Sequence, residues 1–181
     1  MATVFVRLAK DKDLKEIMAI LDGAKAYLKT QGLTQWQFGY PNHETVQADI
    51  EGLAGFVLIA DSKIVGYAAM IQGEDPSYTA IEGGGWITNG RPIGEYVAIH
   101  RFALSAESRG QRLSAKFMSA LLTIAYQSGI RDIRIDTHPN NLPMQAVVAS
   151  NGFEKRGIIH ITEGTEINGV RWAYQLILSD D

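Results

Sequence analysis

The residues that could do chemistry begin at Arg109-Gly110-Gln111-Arg112-Leu113-Ser114. A strand is expected to end near Leu104 and a helix to open near Gln111, which puts this run on a helix's first turn. The N–H groups there have no intrahelical partner and lie at the positive end of the helix dipole. Gly110 and Ser114 are small and would let a phosphate approach the backbone, while Arg109 and Arg112 add guanidinium groups beside it. A pyrophosphate would meet amide donors and two cations. The plainer alternative for the same residues is an ordinary helix entry with solvated arginines. The run is neither G-x-G-x-x-G nor G-x-x-x-x-G-K-[ST], so dinucleotide-binding and ATP-binding folds lose support.

Composition narrows the field further. The 181 residues contain no cysteine, which rules out disulfides, thiolate zinc sites, iron–sulfur clusters and a cysteine nucleophile. Seventeen Lys and Arg against twenty Asp and Glu give a net charge of −3. That argues against nucleic-acid binding by bulk electrostatics. The length suits one domain with a full core, residues 1–181, and 46% hydrophobic residues with 20% charged exclude disorder. The N-terminus has no basic segment leading into an apolar run, and no apolar stretch of ~18 residues occurs, so no membrane partner and a cytoplasmic location are expected.

Periodicity supplies the elements that must position the turn. Thr3 to Leu8 alternates as a strand. Asp13 with Glu16 resembles a capping box, after which Leu14, Ile17, Met18, Leu21, Ala24 and Leu28 follow at helical spacing up to Gly32. Gln31 to Pro41 is a loop, and Asn42 or His43 to Glu51 a short helix. Residues 56–60 and 64–71 read as a hairpin. Gly73 to Pro92 is glycine-rich and irregular, either a long hairpin connection or a mobile flap. Gly94 to Leu104 is a strand, Arg112 to Gln127 a helix, Asp132 to Asp136 a strand and Leu142 to Ser150 a helix. Glu154 to Ile161 and Arg171 to Leu178 are the last strands. The order β-α-α-β-β-β-α-β-α-β-β points to an α/β fold (α+β by some schemes).

The stretch from Ile99 to Phe153 resembles the acetyl-CoA-binding core of the GNAT superfamily of N-acetyltransferases. That family carries [QR]-x-x-G-x-[GA] between its fourth strand and third helix, and residues 109–114 match the run. A later family pattern sets an Asn eleven residues before Gly-Phe, and Asn141 precedes Gly152-Phe153 by that spacing. Ile133-Arg134-Ile135-Asp136-Thr137-His138, with Gln35-Trp36 and Gly39-Tyr40-Pro41, is similar to a bacterial subgroup of the family. The resemblance covers nearly the whole chain, strongest over about 94–160. Three departures stand out: Arg112 replaces the usual Gly, Ser114 the second Gly or Ala, and Val148 the Tyr that in many members is proposed to protonate the leaving thiolate.

The resemblance implies a mixed central sheet of about seven strands flanked by helices, with the fourth and fifth strands splayed. It implies acetyl-CoA as co-substrate, no metal, and transfer of an acetyl group to a small-molecule or peptide amine by direct attack. Phe102, Ala103, Leu104, Arg109, Gly110, Gln111, Arg112, Leu113, Ser114 and Asn141 are the expected cofactor residues. The attacking amine must lose a proton, and His100 and Glu95 are the candidate bases, with His138 a third candidate. The competing explanation for His100 is a hydrogen-bonded packing residue, and for Glu95 a solvated strand end. Strand alternation puts Phe102 and Leu104 on the face of His100 and Glu95 on the opposite face. Trp36 and Tyr40 are the expected acceptor contacts, with Tyr78 and Trp86 as further aromatics and Glu74, Asp75 and Glu82 able to attract an amine cation. The alternatives are a catalytically inactive acyl-CoA-binding module, acting as sensor or partner-binding domain, and a structural domain with no CoA site. Ile158-Ile159 and the last strand could pair across a homodimer or lie within one core.

Overall fold

Buried Ile17, Ile20, Leu21 and Leu28 line one face of helix α1 (Leu14–Thr30), at the spacing expected of an amphipathic helix. Asn42 caps α2 (His43–Glu51) by accepting from the Thr45 N–H. The computed structural model describes residues 3–108 and 110–179. The strands are β1 (Val4–Leu8), β2 (Gly55–Ala60), β3 (Lys63–Gln72), β4 (Val97–Leu104), β5 (Asp132–Thr137), β6 (Glu154–His160) and β7 (Val170–Ile177). The remaining helices are α3 (Leu113–Gln127) and α4 (Leu142–Ser150). Apart from short 3-10 turns, the order is the one read from the sequence. Among the described residues no helix is long and apolar enough to cross a membrane.

The seven strands form one mixed sheet in the order β1-β2-β3-β4-β5-β7-β6. The pairs β1/β2, β2/β3, β5/β7 and β6/β7 are antiparallel. β4 and β5 are parallel, and their pairing runs only from Val97–Ile133 to Ile99–Ile135 although both strands continue. This is the splay the sequence resemblance implies.

The chain forms two compact units, Met1–Met70 with His100–Leu121 and Ile71–Ile99 with Leu122–Asp181. In the first, α1, α2 and β1–β3 close over Ile17, Leu21, Val46, Val57 and Tyr67, with Trp36 packed against them. In the second, Tyr78, Tyr96, Ala98, Ile159 and Ala173 form the cluster.

Three local expectations change. Asp13 does not cap α1 with Glu16. Its carboxylate, 3% exposed, accepts from Arg7 Nη1 at 2.6 Å, Arg7 Nη2 at 3.0 Å and the Lys10 N–H at 2.9 Å, because a buried carboxylate needs a counter-charge more than a cap does. β4 begins at Val97, so Glu95 stands in a preceding turn, its N–H bonded to the Pro92 carbonyl. The glycine-rich connection is pinned to β6: Glu82 exchanges two backbone hydrogen bonds with Ile158, and the Gly85 N–H donates to the Arg156 carbonyl. A Cβ on Gly84 would collide with that same carbonyl.

The Arg7 guanidinium holds the Asp13 carboxyl below the usual carboxylate range, against the opposing effect of burial. A depressed folded-state pKa contributes stability that is full above the unfolded value near ~4 and is lost as pH falls through the folded value. Asp13→Asn should lower stability at neutral pH by roughly 2 kcal/mol. Its acid-denaturation curve should be flatter than wild type below about pH 4, measured by urea unfolding across pH.

Candidate functional site

Arg101 of β4 has a left-handed backbone, φ 57°, a conformation that is costly for a residue with a Cβ. Phe102 stacks on Phe117 of α3 with ring centroids 5.1 Å apart. Arg101 and Ala103 serve the α1–α2 side instead, Ala103 as a member of its core cluster. Leu104 packs onto Gly66 of β3, where a Cβ would come within 2.7 Å of its Cδ2.

The Arg101 guanidinium is buried, 8% exposed against 5% for the Asp49 side chain. Nε and Nη2 donate to the two Asp49 oxygens at 2.8 and 2.6 Å. Nη1 donates to the Tyr40 hydroxyl at 2.6 Å, and the Tyr67 hydroxyl donates to Asp49 Oδ2 at 2.6 Å. Burial pulls the Arg101 pKa down, but Tyr40 and Asp49 outweigh it and the net direction is upward. Burial, then Asp49, pushes the Tyr67 phenol up, so it stays a donor. This network ties the loop after α1 to the strand segment that carries His100, Phe102, Ala103 and Leu104.

Past β4, the Ser105 N–H bonds the Val65 carbonyl, and the Ser105 and Ser108 hydroxyls lie 2.7 Å apart. Gly110 and Arg112 are both left-handed, φ 78° and 55°, and α3 starts at Leu113. The turn therefore keeps a backbone form suited to glycine at the position where this sequence has Arg112. Gln111 and Arg112 are exposed, Ser114 is half-buried and Leu113 anchors the helix in the core. Arg109 lies outside the described residues.

The other predicted residues are placed as follows. His100 is half-buried on β4, and Glu95 is exposed. Tyr40, preceding a cis peptide to Pro41, is held by Arg101, while Trp36 leans on the core. Asn141 caps α4, its Oδ1 accepting from the Met144 N–H at 3.3 Å. Val148 is fully buried, an aliphatic core side chain where a proton-donating Tyr would stand in many relatives. His138 orders its turn: Nδ1 accepts from the Asn140 N–H at 3.1 Å. Burial, then Arg171, lowers its pKa and keeps it neutral. Glu74, Asp75, Tyr78 and Trp86 line one cavity in the second unit. Glu82 is not among its lining residues, and its carboxylate lies 3.4 Å from His160.

Sequence reasoning missed Arg101 and Asp49. The only available signal was a charged residue inside an apolar strand, a pattern that asks for a buried partner. Asp49→Asn should destabilise the protein by about 3–5 kcal/mol, because it leaves the guanidinium buried and uncompensated. Asp49→Leu with Arg101→Met should cost less than the sum of the single changes, measured as a double-mutant cycle by chemical denaturation.

Residues 26–153 match the family model of the acetyltransferase (GNAT) family. An acetyltransferase of the GNAT family from Streptococcus agalactiae is 32% identical, with 98% of this chain and 96% of that one covered at a TM-score of 0.87. A GNAT acetyltransferase from Listeria monocytogenes is 19% identical, covering 97% of this chain and 95% of that one at a TM-score of 0.70. RimL, the ribosomal L7/L12 alpha-N-protein acetyltransferase, solved in complex with coenzyme A, is 20% identical, covering 99% and 96% at a TM-score of 0.68. A comparison with curated proteins found no match. With the splayed pair of strands, the left-handed turn into α3 and a family model covering most of its length, the chain belongs to the acetyltransferase (GNAT) family.

Proposed function

We propose that the protein transfers an acetyl group from acetyl-CoA to a primary amine by direct attack of the amine on the thioester. The observation that carries this reading is the left-handed turn at Gly110 and Arg112 opening onto the 15-residue helix α3. The amides at the helix entry, Leu113 and Ser114, suit a pyrophosphate, and the Arg112 side chain adds a cation; the Gln111 N–H is turned to the Ser108 carbonyl at 3.4 Å. Space is open where a Cβ on Gly110 would sit, so phosphate oxygens can approach the backbone there.

The backbone of Phe102, Ala103 and Leu104 offers N–H and C=O groups for a strand-like pantetheine arm. A backbone N–H near Ala103 or Leu104 stabilises charge developing on the thioester oxygen. Asn141 contributes its side-chain amide to the arm or to a water. Bound acetyl-CoA supplies the activated acyl group and the sulfur that leaves. His100 takes the amine's proton, with Glu95 the second candidate. Tyr40, fixed by Arg101, and Trp36 border the acceptor. The acceptor is a small-molecule or peptide amine. The protein has no thiol of its own, so thiol released from CoA is read without background.

A second reading, an acyl-CoA-binding module without catalysis, is favoured by one observation, the burial of Val148, an aliphatic side chain where many family members have a Tyr proposed as the proton donor. Calorimetric titration with acetyl-CoA followed by thiol release over an amine panel separates the two. Binding with turnover supports transfer; binding without turnover across amino acids, polyamines and N-terminal peptides supports the module.

Arg112→Gly should relieve the left-handed strain and raise stability by about 1 kcal/mol, while weakening acetyl-CoA binding in calorimetry through loss of the cation. His100→Gln should cut turnover by ~100-fold or more if His100 is the base. Losses under threefold in both His100→Gln and Glu95→Gln would assign deprotonation to water.

A further inference from the structure

A cavity of about 290 Å³ lies in the second unit, where β4 and β5 begin, and the proposed transfer chemistry leaves it unused. Its floor is built and rigid. The Arg134 guanidinium is stacked between Trp86 and Tyr96, its carbon 4.3 and 3.8 Å from the two ring centroids. Its charge is taken by Asp132, with contacts of 2.9 and 3.3 Å. Asp132 also accepts from Gln175 Nε2 at 2.9 Å. The same Gln175 amide brackets the main chain of Ile87, accepting from its N–H and donating to its carbonyl, both at 2.9 Å. Trp86 is fixed in turn by donating Nε1 to the Tyr78 carbonyl at 2.8 Å. These bonds hold one wall of the cavity, the connection between β3 and β4, in a set position.

Two charged walls remain. Glu74 lines the cavity as an exposed carboxylate, and Arg91 lines it with a guanidinium. Among the described residues neither makes an ion pair, with each other or with another side chain. Arg91 reaches only the Ile87 carbonyl, at 3.4 Å, and its Nε is buried without a hydrogen-bond partner. A buried donor left unpaired is costly and asks for an acceptor. Asp75 is already engaged, its Oδ1 accepting from the Ser77 N–H at 2.8 Å. The cavity thus sets one carboxylate and one under-satisfied guanidinium over an aromatic floor, in a volume at the small end for ligand sites.

We propose that this cavity binds a free α-amino acid as its zwitterion, the ammonium toward Glu74, the carboxylate toward Arg91 and the side chain against Trp86 and Tyr96. The ligand class follows from the charges. An anion alone would face Glu74, a cation alone would face Arg91, and about 290 Å³ suits a small molecule. The inference is independent of acetyl transfer, and its test needs no coenzyme A.

The test is thermal unfolding of the apo protein with each of the twenty L-amino acids at 10 mM, followed by calorimetric titration of the best. Acetate and methylammonium serve as single-charge controls. At least one amino acid should raise the midpoint by roughly 5 °C or more if its Kd is near 0.1 mM. Acetate and methylammonium should not. Arg91→Met and Glu74→Gln should each weaken calorimetric binding at least tenfold while the unliganded midpoint shows that both variants fold. No shift with any amino acid, a shift reproduced by acetate or methylammonium alone, or binding that survives both substitutions would overturn the proposal.

Discussion

A guanidinium inside the core is tolerable only with a fixed counter-charge and filled hydrogen-bond sites, and the Asp49–Arg101 pair meets both conditions. Two donors meet two carboxylate oxygens, a third meets Tyr40, and Tyr67 fills a further lone pair on Asp49. Four separate pieces of chain are tied at this point: the loop after α1, helix α2, strand β3 and strand β4. The left-handed backbone of Arg101 persists because these bonds determine where the side chain goes. Past Arg101, Phe102 stacks on Phe117 of α3 and Ala103 joins the core cluster with α1 and α2. The strand segment on which the proposed chemistry rests is therefore shaped by a charge pair.

The same logic of backbone form governs the turn before α3. Glycine is the ordinary occupant of a left-handed position, and Gly110 is one. Arg112 adopts that form with a Cβ, at some cost in strain, and in exchange puts a cation beside the helix terminus. A direct-transfer mechanism asks for positioned donors and a proton acceptor rather than a protein nucleophile, which is compatible with a chain that has no cysteine.

Element order was legible because it depends on local periodicity: apolar residues at helical spacing in α1 and α3, and alternation in β1 and β5, place the elements to within a few residues. The left-handed entry to α3 coincides with the motif read at Gly110 to Ser114, and Asn141 stands at the start of α4. What escaped depends on partners distant in sequence. Asp49 and Arg101 are 52 residues apart, and neither betrays the other. The positive φ of Arg101 inside β4 escaped as well, because periodicity carries no sign of φ. Asp13 had the pattern of a helix cap, yet Arg7 claims its carboxylate. The glycine-rich connection read equally well as a flap or a hairpin connection, because its docking on β6 uses backbone groups that no side-chain pattern reports.

The central claim is that the β4 segment beyond its kink and the turn into α3 together take acetyl-CoA. Amide hydrogen exchange, read with and without saturating coenzyme A, tests it directly. Protection should rise at the amides of 102–104 and 110–114. Binding without added protection in either segment, or protection confined to other parts of the chain, would contradict the account.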